Sequence, residues 1–475
     1  GMPGRFMVAL LFLFISSTLS AQWSSDPAAN FRIADTMGNQ HLPKLAISSD
    51  GSSFVSWFES GSGSYRVYLQ KLNSEGKKQW GEQGLLISSH PQNSYLMDYS
   101  LTTDSKNNAI VAFTDVRTGN LGVFVYKISS AGKFVWGADG IQLSKGSASV
   151  SNPVCAVASD GSVVIAWNSS DSLETICIQK ITADGKKAWG DAPLTYSSAI
   201  EGESYLNPQL VASDKGSVIM VHSNATGKFP GQSVRLAAQK FNAKGVAEWK
   251  KGGVMIQSIG YVMKFSVPFV ASDGANGALV AWHDERDLTN IQGGFVQRVN
   301  SNGTLSFPAN GAEVSSKQGF NKYHPVACRL SSTNEVIVFW RMSTASQVED
   351  GIFAQKFDAK GKKMWGDEGV ELVPVGIAKY IHYDVVATAK SASLFYISSD
   401  FTGFKSVVNG LTLTTNGKKD WAGPFEVSSI TSEKNRISSR LDKTNSAIVV
   451  WGDNRTGKEL VYGQKIKDSA KSGKK

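Results

Sequence analysis

The sequence predicts an all-β fold, an eight-bladed β-propeller of four-stranded antiparallel blades. Two aromatic series running in phase point to it. The first is Trp23, Trp80, Trp136, Trp189, Trp249, Phe307, Trp365 and Trp421, in steps of 57, 56, 53, 60, 58, 58 and 56 residues. The second is Trp57, Phe113, Trp167, His222, Trp282, Trp340, Tyr396 and Trp451. Repeats of this length mark a solenoid, a propeller or an array. A third observation separates these. Every unit parses into four short strands, and no segment keeps a helical period. Four-stranded units set around an axis make a propeller.

The elements of a unit follow in a fixed order. In the first unit, strands are expected over residues 44–48, 53–58, 65–72 and 78–87. Second strands are unbroken apolar runs, such as Val163-Val164-Ile165-Ala166-Trp167 and Val336-Ile337-Val338-Phe339-Trp340. A strand that apolar has to be covered on both faces. Turns such as Asp50-Gly51, Asp160-Gly161 and Asp184-Gly185 separate the strands. The third strand carries Gln70-Lys71, Gln179-Lys180, Gln239-Lys240, Gln297-Arg298, Gln355-Lys356 and Gln464-Lys465. Units two and seven depart, with Tyr126-Lys127 and Gly410-Leu411. A glycine then stands four residues before the late aromatic in most units, as in Gly76, Gly132, Gly185, Gly245, Gly303, Gly361 and Gly417. The fourth strand is expected to bear that aromatic.

The ends of the chain imply closure. The last unit stops after Gln464-Lys465 with three strands, and the missing fourth stands at the other end as Gln22-Trp23 and Phe31-Arg32-Ile33. Pairing the two completes the eighth blade and removes two exposed sheet edges. Residues 22–467 are expected to form this single domain, and residues 468–475 a basic tail. Residues 1–21, with Gly1 ahead of Met2, read as a secretory signal peptide: Arg5, an apolar run over 7–15, then small residues to Ala21. The mature chain is expected to be an exported monomer, periplasmic, extracellular or at the cell surface, with no transmembrane segment.

The net charge is +9. Lysines gather at the third hairpin turns: Lys77-Lys78, Lys133, Lys186-Lys187, Lys244, Lys362-Lys363 and Lys418-Lys419. Such a rim suits an acidic partner, or is ordinary surface chemistry. No nucleic-acid-binding module is present, so nucleic acid is not an expected ligand. Cys155 and Cys177 fall on non-adjacent strands of one blade, about 9–10 Å apart, too far for a disulfide. With Cys328 they read as buried apolar thiols.

Candidate sites lie on the face opposite the lysine turns. His41, Asp98, Asn152, Asn207, Tyr323, His324, Tyr380, His382 and Arg436 precede or begin the innermost strands, at the channel mouth. Aromatic faces mixed with hydrogen-bonding groups suit sugars or peptides. His324, His382 and Asp384 are a minimal metal set, although no metal or other cofactor is expected. Loops after the second strands hold Asp115 with Arg117, Asp284 with Arg286 and Asp453 with Arg455. These arginines either hold an anion or pair locally with their aspartates. Symmetry is broken most in units four, six and seven, at His222 and at loops 226–232, 342–349 and 375–380.

Gly361-Lys362-Lys363-Met364-Trp365, preceded by Lys356-Phe357-Asp358-Ala359, resembles the tryptophan-docking repeat of quinoprotein-dehydrogenase-type and outer-membrane-assembly-type propellers. That resemblance implies a late tryptophan wedged between blades. The vicinal cysteine pair of the quinone enzymes is missing, which argues against a quinone cofactor. Trp282-His283-Asp284-Glu285-Arg286, with the later Gln297-Arg298 and Gly303, is similar to exported propeller repeats of Bacteroidetes-type bacteria, which bring no agreed activity.

No nucleophile elbow, zinc-protease helix motif or phosphate loop is found. The leading expectation is a non-catalytic exported propeller binding a glycan or protein partner at the mouth. One alternative is a glycoside hydrolase or polysaccharide lyase using acidic residues such as Glu201, Glu203, Glu285 and Asp287. Another is an envelope-assembly scaffold using the lysine rim.

Overall fold

The computed structural model describes residues 22–467 except 62, 93–97, 229–230, 288 and 418–422. The expected signal peptide, the basic tail, Trp421 and Lys418-Lys419 lie outside the described residues. Eight four-stranded antiparallel sheets form the ring. Blade 1 spans residues 40–88, blade 2 100–142, blade 3 149–196 and blade 4 204–257. Blade 5 spans 269–313, blade 6 320–376 and blade 7 383–432. Blade 8 takes three strands from residues 434–466 and its fourth from Phe31–Arg32. That strand pairs Phe31 with Gly463 and Arg32 with Tyr462. Gln464 Nε2 donates to the Asp26 carbonyl at 3.2 Å, and Asn30 Nδ2 donates to Gln464 Oε1 at 3.3 Å.

First strands lie innermost and border a channel of about 740 Å³, lined by Thr103, Cys155, Leu210, Val270, Val385 and Ser439 among others. The core sits between blades. Trp57, Trp167, Trp340 and Trp451 are fully buried there. Turns between strands 1 and 2 and between strands 3 and 4 share one face. Loops between strands 2 and 3, and the blade-to-blade connections, share the other.

Two expectations are corrected. The described late aromatics are not on the fourth strands. In blade 1 the fourth strand is Leu85–Ser88, and only an isolated bridge from Leu72 to Lys78 precedes it. The cause is the glutamine of the third strand. Gln70 Oε1 accepts the Trp80 amide at 3.3 Å, and Gln70 Nε2 donates to the Gly81 carbonyl at 2.8 Å. A backbone gripped by a side chain in this way is not free to join the ladder. Gln179, Gln239, Gln297 and Gln355 grip Trp189, Trp249, Phe307 and Trp365 in the same way. The second correction concerns cysteines. Cys328 is buried, but Cys155 and Cys177 are half-buried; the innermost strand turns Cys155 toward the channel.

Each described late aromatic docks on the next blade. A Cβ placed on Gly185 meets Trp136 at 2.8 Å, one on Gly303 meets Trp249 at 3.0 Å, and one on Gly361 meets Phe307 at 2.7 Å. These glycines also hold φ of +87°, +86° and +82°. The lysine beside the glutamine completes the clip. Lys180 Nζ bonds Asp160 of its own blade at 2.6 Å and the Ala243 carbonyl of the next blade at 3.2 Å. Lys465 does the same with Asp442 and the Ser74 carbonyl, at 3.2 and 3.0 Å, across the closure from blade 8 to blade 1.

Gly185→Ala is therefore expected to cost about 2–4 kcal/mol, combining left-handed strain with overpacking. Gly161→Ala, also at positive φ but with nothing within 4 Å, should cost only about 1–2 kcal/mol. Urea denaturation of the two variants measures the difference. Deleting residues 22–33 should expose Leu460–Ile466 as an open edge, and size-exclusion chromatography should then show association or aggregation.

Candidate functional site at the channel mouth

The innermost strands of blades 1, 3, 4, 6 and 8 share one irregularity. Their register shifts between His41 and Lys44, Ser151 and Val154, Leu206 and Gln209, Tyr323 and Val326, and Asn435 and Ser438. The left-handed residue of each bulge is Leu42, Asn152, Asn207, His324 or Arg436. Proline follows in all but the last, as Pro43, Pro153, Pro208 and Pro325. Bulges re-aim side chains. Asparagine tolerates this conformation, whereas His324 (φ 45°) and Arg436 (φ 58°) hold it at a cost of about 1–3 kcal/mol.

Across blades 1 to 4 the mouth is tied up. His41 Nδ1 pairs with Glu459 at 3.0 Å. Asp98 pairs with Lys44 at 2.6 Å, and its amide donates to Asn152 Oδ1 at 3.0 Å. Asn207 Nδ2 donates to the Lys264 carbonyl at 3.1 Å.

Blades 5 to 8 differ. His283, on the second strand of blade 5, is buried. Its Nδ1 accepts the backbone N–H of His324 at 3.1 Å, which leaves the ring proton on Nε2, 3.3 Å from Ser266 Oγ. Its ring stands edge-on to His324 at 4.7 Å and to Tyr323 at 5.3 Å. Tyr383 Oη donates to the His324 carbonyl at 2.5 Å. The Arg341 guanidinium lies 4.7 Å over the Tyr323 ring. It reaches Asp350 only at 3.7 Å, and its buried Nε has no partner among the described residues.

Crowding in this concave mouth lowers the His324 pKa to about 4, with the Arg341 charge adding to it. His382 is likewise lowered to about 4 by burial, then by Arg436 and Arg341. His283 falls to about 3, by burial, His324 and Arg341. All three imidazoles are neutral at pH 7. His324 and Arg436 open to solvent, and His382 is half-buried.

No family model matches the chain, and no curated protein matches it. Among solved structures, a family PL25 ulvan lyase bound to a GlcA–Rha3S saccharide is 9% identical. The match covers 94% of this chain and 99% of that one, at a TM-score of 0.49. A second polysaccharide lyase is 10% identical over 92% of each chain, at 0.46. An α-L-arabinofuranosidase from Fusarium graminearum is 12% identical, covering 66% of this chain and 92% of that one, at 0.36.

Of the residues nominated from sequence, Tyr323, His324 and His382 lie around Arg341, and Arg436 lies beside His382. Tyr380 is buried edge-on to Tyr396, with 5.7 Å between ring centres. His222 is sealed between Tyr205 and Tyr196. The metal set does not assemble. The imidazole against His324 is His283, and Asp384 Oδ2 receives the Ser439 amide and Arg440 at 2.9 and 3.2 Å. Among the described residues no group of three His, Cys, Asp or Glu side chains is arranged to hold an ion. Sequence reasoning passed over His283 and Arg341 as site residues. Their one signal is a polar residue interrupting or ending the apolar second strand.

The Asp–Arg pairs close on themselves. Arg117 reaches Asp115 at 2.7 Å, Arg286 reaches Asp284 at 3.0 Å and Arg455 reaches Asp453 at 2.8 Å. Each guanidinium also stacks on a third-strand ring, Phe124, Phe295 or Tyr462. Rim lysines pair locally too: Lys77 with Glu75, Lys78 with Glu82, Lys186 with Asp184 and Lys363 with Glu313.

Burial raises the Asp453 pKa, but Arg455, Lys434, Trp451 and Ser432 outweigh it and bring it down to about 2. Asp284 lacks the second cation, and there burial wins and the pKa is raised. A depressed carboxyl stabilises the fold above its unfolded pKa near 4, and that stability is lost as pH falls through about 2. The stability gap between the parent and Asp453→Asn should therefore shrink by about 2 kcal/mol between pH 5 and pH 2. Urea midpoints at the two pH values test this.

Proposed function

We propose that this protein acts on an acidic polysaccharide by β-elimination, at the side of the mouth formed by blades 5 to 8. The observation that carries the reading is two neutral imidazoles, His324 beside Arg341 and His382 beside Arg436 and Arg341, and of the two guanidiniums only Arg341 has a carboxylate in reach among the described residues. An arginine without a carboxylate partner is suited to a uronate or sulfate group. Neutralising a uronate carboxylate lowers the cost of removing the proton at C5. A neutral imidazole nitrogen takes that proton. The C4–O bond then breaks, a C4=C5 double bond forms, and the leaving oxygen takes a proton from the second imidazole N–H or the Tyr323 hydroxyl. No water or other reactant is consumed.

Hydrolysis has less support. It needs two carboxyl groups facing each other at about 5–10 Å. Asp350 is buried against Arg341, Asp384 is held by Arg440, Glu203 takes the Ser198 hydroxyl and Glu285 takes the Asn290 amide. The pattern of residues 1–21 supports export, and a periplasmic or extracellular site would meet such polymers.

The test is incubation with uronate polymers, following the ultraviolet absorbance of the unsaturated product. His324→Ala is expected to lower the rate by about 10²–10⁴-fold. Arg436→Ala should weaken binding of acidic glycans by about 10–100-fold and leave neutral glycans unchanged. The proton acceptor is already free above pH 4, so the rate should fall only as pH drops through about 4. Binding without product would return the protein to non-catalytic glycan recognition. Failure to bind any acidic glycan would overturn the proposal.

A further inference from the structure

Large apolar side chains are exposed in one concentrated run on the connection between blades 4 and 5. Ile259, Tyr261, Met263, Phe265 and Val267 alternate with other residues, and their exposures are 47, 55, 57, 87 and 44%. Exposed apolar groups scattered singly need no explanation, but a contiguous run marks a binding surface. Tyr261, Met263 and Phe265 line a cleft of about 470 Å³ together with Gln232, Lys264, Glu285 and Gln292. Ligand clefts commonly span about 300–1,000 Å³.

The run is held in place. Tyr261 and Glu285 exchange backbone hydrogen bonds at 2.9 and 3.1 Å. Asn207 clasps the Lys264 carbonyl, and Lys264 Nζ pairs with Glu174 of blade 3 at 3.2 Å. The run is also continuous with the cluster of histidines. The residue after Phe265 is Ser266, whose hydroxyl meets His283 Nε2 at 3.3 Å. A second cleft of about 190 Å³ begins at Ser266 and is lined by His283 and His324. The two clefts therefore adjoin along one stretch of backbone.

We infer that the Tyr261–Met263–Phe265 face is a distal subsite for the same acidic saccharide, seating sugar rings beyond the residue at His324. This rests on the reading given above. Aromatic faces cover the apolar C–H patches of a pyranose, while Gln232, Gln292 and Glu285 are placed for its hydroxyls. The cationic mouth holds the charged ring, and the platform adds affinity with chain length.

Calorimetry on the mature chain with uronate oligosaccharides of two and six residues tests this. The side chains are exposed, so Tyr261→Ala and Phe265→Ala leave the core intact, which circular dichroism checks. Each should weaken the hexasaccharide by about tenfold and leave the disaccharide unchanged. Arg436→Ala should weaken both lengths. Equal loss at both lengths, or none at either, overturns the subsite while the mouth reading stands. No binding of either length by the parent chain overturns both. Self-association abolished by Phe265→Ala would assign the face to a second copy and overturn the subsite.

Discussion

The ring depends on one repeated contact, a late aromatic seated on the next blade's glycine and, in blades 1 and 3 to 6, held by its own blade's glutamine. The glutamine fixes the backbone of Trp189 through its amide, and Gly245 offers a surface that a Cβ would block at 2.9 Å. The flanking lysine then carries a charge-assisted bond across the same seam, as Lys240 does to the Ser301 carbonyl at 2.8 Å. Three landmarks that look independent in the chain are one device. Because the device joins neighbours only, the sheets can vary on the opposite face without loosening the ring.

That division explains what the mouth is free to do. On blades 1, 3, 4, 6 and 8 the innermost strands carry a common bulge on the mouth face. On blades 1 to 4 the mouth is filled with inter-blade ties such as His41 to Glu459 and Asp98 to Lys44. On blades 6 and 8 the same position carries His324 and Arg436, whose side chains find no such tie among the described residues. A strained, open histidine braced from behind by His283 is poorly explained by packing, since packing alone would favour asparagine.

Much of this was legible in the sequence, and the rest was hidden for definite reasons. The number of blades, the split blade and the buried second-strand aromatics follow from period and apolar runs, which are local properties. The true start of the fourth strand does not. It is set by a side chain, Gln70, reaching a backbone ten residues away. Tyr323, His324, His382 and Arg436 were visible as polar residues ahead of innermost strands. Which members of the ring stay open was not, because Glu459 and Lys44 arrive from distant sequence. His283 and Arg341 were concealed by sitting on strands whose neighbours read as core.

The split blade also governs how the molecule is made. Its closing contacts join residues 434 positions apart, Asn30 and Gln464, so they are among the longest-range contacts the chain contains. Long-range pairing is slow to form. An emerging chain holds its first strand unpaired until Leu460–Ile466 has been supplied, and only then does the circle lock. Proteolytic vulnerability should be concentrated in that waiting period, and resistance should appear abruptly at its end.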